Sequence, residues 1–335
     1  MKTHIQIISL IMLLSVSGKM AAQDTTHPFF RGEPIGLVFT DFYTGIKQGD
    51  NPAGFELKRA YLGYQFELDK HFKAKLQIDI GNPGDVSQDT LRRRFAYFKD
   101  AWLQYSAGKW AFTIGIIPLQ QFNIQERIWG HRYIAKSALD EFGLATSADL
   151  GASAKYNPTD WLSLDFTLMN GEGFNNLQSD NSFKAGFGFT LKPYKGLIVR
   201  SYADIINKRN TELLLVYFVG YEIKDKFLFG AEYDIKRNED FFENHHEKVF
   251  SAFATYHVVS KFGIFGRYDV RRSNTPPDDT QRWNLTGDGS ALIAGVEYRP
   301  ISKVRTALSY QEWFPYATSS DNEAFLYLNI EFRVW

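Results

Sequence analysis

The residues best suited to acting on a solute lie in one stretch, Gln125 to Gly151. It holds charged side chains of both signs at short spacings, beside Trp129 and Tyr133. The 28 residues 118–145 separate two alternating segments, and connections this long are uncommon in compact domains and tend to be functional. We therefore predict that this segment narrows a water-filled channel. The predicted constriction comprises Glu126, Arg127, His131, Arg132, Lys136 and Asp149.

A second interpretation of the same charges remains open. They are equally suited to salt bridges that hold the segment against a surrounding wall, and a constriction also has to be anchored. Arg127, Arg132 and Lys136 are expected to meet wall acids such as Asp149 and Asp165.

Two features of the segment concern its own fold. Ala135 to Phe142 contains good helix formers, with Ser137 as the expected cap. His131 is predicted to be a hydrogen-bonding anchor rather than a metal ligand.

The chain begins with the pattern of a secretory signal peptide. A basic start at Lys2 precedes an apolar run over Ile5–Val16 and small residues at Ala21 and Ala22. The run is too short to cross a bilayer as a helix, so residues 1–22 are predicted to be cleaved. The chain has no cysteine, which excludes a disulfide-stapled scaffold, and its near-zero net charge gives no reason to expect a nucleic-acid partner.

Strict alternation of apolar and polar residues dominates the rest of the chain. In Phe72–Gly81 the apolar residues Phe72, Ala74, Leu76, Ile78 and Ile80 interleave with polar ones. Repeated segments of about ten residues have the length of strands that cross a bilayer with a tilt. We count sixteen, of which Thr211–Ile223 and Glu247–His257 are the weakest because apolar residues fall on both faces.

Short and long connections alternate between these segments, as in a transmembrane barrel with tight turns at one end. The sequence therefore predicts an all-β, transmembrane antiparallel β-barrel of sixteen strands over residues 35–335, preceded by an N-terminal periplasmic segment, 23–34. The segment 118–145 becomes its long, inward-folded third external loop.

The predicted barrel assigns the two faces of each strand. A Lys or Arg facing lipid at the bilayer centre costs roughly 2–4 kcal/mol, so the charged face should line the lumen. Sixteen strands leave an aqueous channel. The predicted lining residues are Arg59, Lys73, Lys75, Asp79, Asp165, Lys184, Arg200, Asp204, Arg267, Asp269 and Arg305.

Several segments resemble the porins of Bacteroidetes that are akin to the phosphate-selective porin O and P family. They are Arg59–Tyr64, Lys99–Trp102, Gln125–Tyr133, Ser147–Gly151 and Asn170–Gly173. The resemblance implies an outer-membrane diffusion channel that assembles as a homotrimer. Phosphate specificity is expected to be weak, because acids match the wall cations here. The C-terminal strand, which ends in Trp335, resembles the signal read by the outer-membrane assembly machinery.

The predicted function is passive diffusion of small hydrophilic solutes or ions across the bacterial outer membrane, with at most a mild anion or phosphate preference. The expected partners are outer-membrane lipid and the solutes, and no cofactor or metal is expected. A plugged structural or adhesin barrel is one alternative. An outer-membrane barrel enzyme is another, but none of the seven histidines lies beside a nucleophile in a convincing context.

Overall fold

The computed structural model describes residues 31–47, 51–81 and 95–335. The predicted signal peptide and residues 23–30 lie outside this range. The elements are β1 (Gly32–Gly45), β2 (Ala53–Glu67), β3 (Phe72–Gly81), β4 (Ala96–Ala107), β5 (Trp110–Pro118), α1 (Gln120–Trp129), α2 (Ala138–Glu141), β6 (Ala148–Thr159), β7 (Leu162–Met169), β8 (Lys184–Leu191), β9 (Leu197–Asn207), β10 (Thr211–Ile223), β11 (Phe227–Arg237), β12 (His246–Val259), β13 (Phe262–Ser273), β14 (Gly289–Ile301), β15 (Val304–Pro315) and β16 (Glu323–Arg333).

The sixteen described strands form one closed antiparallel barrel in which each strand pairs with its neighbours in sequence. β1 closes the barrel against β16, in a register that runs from Leu37 opposite Arg333 to Gly45 opposite Phe325. The predicted fold class is therefore confirmed. β1 begins at Gly32, three residues before the predicted start of the barrel.

The barrel wall is polar on its inner face and apolar on its outer face, the reverse of a soluble protein. In β11, Glu232, Asp234 and Lys236 are buried inside, whereas Phe229 and Tyr233 are exposed outside. This arrangement is typical of a barrel whose outer surface meets hydrocarbon. Among the described residues, no helix is both long and apolar enough to cross a bilayer.

The connections differ in length between the two ends of the barrel. One end, called the short-turn end, has turns such as 224–226 and 302–303, and the opposite, long-loop end carries residues 119–147. The turn between β4 and β5 is only two residues long, and Gly108 adopts the positive φ of 56° that it requires. The predicted alternation is incomplete, because β9 and β10 are joined at the long-loop end by only residues 208–210.

The segment 118–145 is more ordered than the sequence predicted. Helix α1 was not anticipated; Gly130, which follows its last residue Trp129, donates its N–H to the carbonyl oxygen of Glu126 at 2.8 Å, and its φ of 70° turns the chain out of the helix. The predicted helix over Ala135–Phe142 is shortened to α2, and Ser137 makes no capping hydrogen bond through its side chain. The Glu232 carboxylate on β11 replaces it by accepting from the N–H of Ala138 at 2.9 Å.

Candidate pore constriction

The segment 119–147, called the third loop, packs its apolar side chains against residues on the inner face of the barrel. Ile128, Trp129, Tyr133 and Ile134 are at most 2% exposed. Burial of each large apolar side chain contributes about 1.5–3 kcal/mol, so these four alone hold the loop firmly. Their cluster includes the wall residues Phe39, Ile198, Phe218, Phe253, Phe265, Ile293 and Ala307, which come from β1, β9, β10 and β12–β15.

The ends of the third loop belong to a second apolar cluster. Leu119, Phe122, Leu139 and Leu144 are almost fully buried there. Their wall partners are Ile117, Met169, Tyr202, Leu214, Val216 and Val249. This second cluster fixes α1 and α2 on the side of the barrel opposite β1.

One wall carboxylate, Glu297 on β14, collects the polar anchors of the loop. The Tyr133 hydroxyl donates to Glu297 Oε2 at 2.8 Å, and Arg305 Nε donates to the same oxygen at 2.9 Å. His131 Nε2 lies 3.5 Å from this oxygen, beyond a good hydrogen bond. Glu297 therefore ties the loop to β14 and β15 at once, although no pattern in the sequence singled it out.

The His131 side chain is fully buried in this anchor. Its Nδ1 lies 2.8 Å from the carbonyl oxygen of Trp129, which is only an acceptor, so Nδ1 carries the proton. Burial lowers the pKa of His131 to about 4, outweighing the attraction of Glu297. The ring is therefore neutral at pH 7.

The charges of the third loop pair mainly with one another. Arg132 Nε lies 2.8 Å from Glu126 Oε1, and Arg132 Nη2 lies 3.8 Å from Asp140 Oδ2. Lys136 Nζ is 4.0 Å from the other Asp140 oxygen. Burial alone would lower the pKa of Arg132, but Glu126 raises it above its ordinary value, so the guanidinium stays charged. Burial also raises the pKa of Glu126.

The partners that the sequence suggested for these cations are wrong. Arg127 pairs with Glu222 at 3.5 Å on β10, and Asp165 pairs with Arg200. Asp149 accepts backbone N–H groups at 2.7 and 2.8 Å from Leu150 and Gly171. Asp149 therefore fixes a neighbouring loop and stands apart from the group around Arg132.

Two cavities inside the barrel border the third loop. The inner vestibule, of about 910 Å³, reaches the short-turn end, where Asp225 and Ser302 line it. The outer vestibule, of about 540 Å³, reaches the long-loop end, where Glu56 and Glu323 line it. Both are lined by Arg132. The Arg132 guanidinium, with Glu126 beside it, thus stands at the junction of the two vestibules.

Most of the predicted lining charges are held in ion pairs on the inner wall. Arg200 meets Asp165 through two hydrogen bonds of 2.7 and 2.8 Å, and Arg267 Nε donates to Asp269 at 2.8 Å. The remaining pairs are Arg59–Asp79 at 2.8 Å, Lys75–Asp100 at 2.7 Å, Lys184–Asp204 at 3.9 Å and the exposed Lys73–Glu67 at 3.3 Å.

These pairs differ in burial, which sets what each contributes to stability. We expect Asp165→Asn to lower the free energy of unfolding by about 3–5 kcal/mol, because it leaves the buried Arg200 uncompensated. Glu67→Gln, in the exposed pair with Lys73, should cost less than about 1 kcal/mol. Urea titration of the folded barrel in lipid vesicles measures both values. Equal losses in the two variants would contradict this difference.

Two lumen cations were missed because β-bulges interrupt the alternation. The pairing of β1 with β2 shifts between Phe39 and Thr40, and Lys58 lines the outer vestibule together with its neighbour Arg59. The pairing of β3 with β4 shifts between Gln77 and Ile78, and Lys99 lines the inner vestibule together with Asp100. A bulge lets consecutive residues face the same side, which strict alternation cannot anticipate.

Residues 31–194 match the family model described as phosphate-selective porin O and P. No curated protein matches the chain by sequence. Within the described residues, no cluster of His, Asp or Glu side chains is arranged to hold a metal ion.

Several solved structures share the fold. OmpF of Salmonella typhi in complex with daunomycin has a TM-score of 0.70 at 10% identity, over 91% of this chain and 98% of its own. The anion-selective porin from Comamonas acidovorans has a TM-score of 0.63 at 10% identity, over 90% of this chain and 99% of its own. OmpT of Vibrio cholerae in a trimer form has a TM-score of 0.59 at 14% identity, over 91% and 99%. At these identities the likeness establishes the porin-like barrel fold.

Proposed function

We propose that this chain is an outer-membrane porin related to the phosphate-selective porin O and P family, through which small hydrophilic solutes and ions diffuse passively. The observation that carries the proposal is the pair of vestibules, one toward each end of a closed barrel, whose linings share Arg132. The apolar outer face supports a bilayer location, and the family match supports the outer membrane. The third loop is the constriction, and Glu126, Arg127, Arg132 and Lys136 set its charge.

The proposed pore has a mild preference for anions, which arises in its inner vestibule and agrees with the family match. The described lining of the inner vestibule has seven basic and five acidic residues, whereas that of the outer vestibule has four basic and five acidic residues. Salt screens these wall charges beyond the Debye length of about 8 Å at physiological ionic strength, so the preference between anions and cations is small. A homotrimer and recognition of β16 by the assembly machinery complete the proposal.

Reconstitution into planar lipid bilayers tests the function directly. Discrete, voltage-independent conductance steps are expected, together with swelling of protein-loaded liposomes in small sugars but not in large ones. A plugged structural barrel would give neither. Barrel closure is checked independently by heat-modifiable migration in gels, so an unfolded preparation is not mistaken for a closed pore.

A matched pair of variants tests the charge of the constriction. Arg132→Gln leaves Glu126 and Asp140 at the junction and should shift the ion preference toward cations. Glu126→Gln leaves Arg132 with only Asp140 and should shift it toward anions. Reversal potentials in a salt gradient measure both shifts, each expected to be up to a few-fold and to shrink at high salt. Shifts in the same direction would place the pair outside the conducting path.

A further inference from the structure

The outer face of the barrel carries a cluster of cations on three adjacent strands at the long-loop end. Arg237 on β11, Lys248 on β12 and Arg272 on β13 are all exposed and alternate with inward-facing neighbours. Lys248 and Arg272 are direct cross-strand partners, and Lys248 also stands opposite Ile235, two residues before Arg237. The three side chains therefore form one patch, called the rim patch.

The rim patch places like charges together without compensation. Like charges directly opposite one another on a sheet destabilise the pairing, since their Cβ atoms lie about 4.5–5.5 Å apart. Arg237 and Lys248 have no ion pair among the residues that the structure describes, and Arg272 Nη2 lies 3.3 Å from the Tyr316 hydroxyl. Inside the barrel, by contrast, the neighbouring Lys236 and Arg271 each meet a glutamate.

The position of the rim patch relative to the apolar outer surface limits which groups can neutralise its positive charge. Tyr233, Phe250 and Tyr268 on the same outer face are 38–46% exposed. Phe250 lies two residues from Lys248 toward the middle of the barrel, a separation of about 7 Å along the strand. Aromatic girdles of this kind mark the boundary between hydrocarbon and headgroups. The cations consequently stand at headgroup height, where they cannot be buried in lipid tails but can reach a lipid phosphate.

We propose that the rim patch binds the phosphate of a membrane lipid in the leaflet at the long-loop end, with Lys248 and Arg272 as the principal ligands and Arg237 beside them. The phosphate relieves the repulsion between the two facing cations, and the acyl chains lie along Phe250 and Tyr268. Guanidinium groups bind phosphate in a bidentate manner, while the ammonium acts as a point charge. The proposal rests on the bilayer location in the proposed function, but not on conduction.

The test uses the folded, delipidated full-length barrel in detergent micelles, titrated with dioleoyl phosphatidic acid and examined by native mass spectrometry. Dioleoylglycerol, which has the same chains and no phosphate, is the lipid control and should bind much more weakly. Each surface cation contributes about fivefold in affinity for an anionic lipid, so Lys248→Gln/Arg272→Gln should weaken binding of phosphatidic acid about 25-fold. The charge-conserving Lys248→Arg/Arg272→Lys should retain most of it.

A matched control removes two exposed lysines from the short turns. Lys261→Gln/Lys303→Gln changes the net charge equally and should leave binding of phosphatidic acid unchanged. Equal binding of both lipids, or equal losses in the two double variants, would overturn the proposal. Competition by glycerol phosphate at concentrations comparable to the lipid would show a site for free phosphate and would overturn it as well. Conductance steps are measured separately, so failure here is distinct from failure of the porin function.

Discussion

A variant in which Ile128–Lys136 is replaced by a Gly/Ser linker is expected to conduct severalfold more current than the parent and to pass larger sugars. Of these nine residues, Gly130 lines the inner vestibule, Ile134 and Lys136 line the outer one, and Arg132 lines both. Their removal joins the two cavities into one lumen. Single-channel conductance and liposome swelling in a series of sugars measure the effect.

The linker variant also exposes Phe218, Phe253 and Phe265 to water, so its barrel is expected to be less stable but still closed. A second variant, Trp129→Ala/Tyr133→Ala, keeps the loop length. Its conductance should fluctuate between that of the parent and that of the linker variant. The matched control replaces residues 275–283 of the β13–β14 connection with the same linker, and it should leave conductance unchanged. Parent-like conductance in a correctly inserted linker variant would place the third loop outside the conducting path.

The second large expected effect is an increase in conductance at low pH. Conductance is expected to be constant from pH 8 to about 6.5 and to rise in fluctuating steps as the pH falls toward 4. His131 is neutral when docked, since burial lowers its pKa to about 4, whereas a released loop has the ordinary value near 6.5. Between these values only the released loop takes up a proton. Acid therefore weakens docking, by about 3 kcal/mol at pH 4, because release of the loop raises the pKa of His131 from about 4 to its ordinary value.

The surroundings of His131 define the controls for this pH response. Glu297, Arg299 and Arg305 face the ring from β14 and β15, and Tyr133 lies on the loop itself. His131→Gln removes the titrating group and should flatten the response between pH 6.5 and 4. Any response that persists in His131→Gln but disappears in Glu126→Gln comes from Glu126, whose pKa is also raised by burial. An unaltered pH response in His131→Gln would falsify the assignment to His131.

The barrel was predictable because each strand repeats one physical rule. Lipid excludes charge from one face and water accepts it on the other, so a period of two recurs sixteen times and identifies the strands. Thr211–Ile223 was ambiguous for a reason that the structure supplies. Its inward residues Leu214, Val216 and Phe218 are apolar because they face the third loop rather than water.

The third loop was less predictable, because its partners are distant in sequence. Helix α1 did leave a pattern: the buried residues Gln121, Phe122, Gln125, Ile128 and Trp129 fall on one helical face. The proline before it and the charges around it favoured a loop interpretation instead. No local sequence pattern identified its anchor Glu297, because the residues around Glu297 do not indicate that Tyr133 needs a hydrogen-bond acceptor there.

The separation between loop and anchors has a consequence for how the chain folds. The Tyr133–Glu297 hydrogen bond joins residues 164 apart, and the Ala138–Glu232 bond joins residues 94 apart. Contacts this remote form late, because a long stretch of chain must be ordered first. Trp129 therefore remains without its ring partners Phe253 and Phe265 until β12 and β13 have joined the sheet, and Tyr133 lacks Glu297 until β14 has joined. Docking of the third loop is then the last step of folding. A barrel arrested before its C-terminal strands have paired would expose these aromatic side chains to proteases.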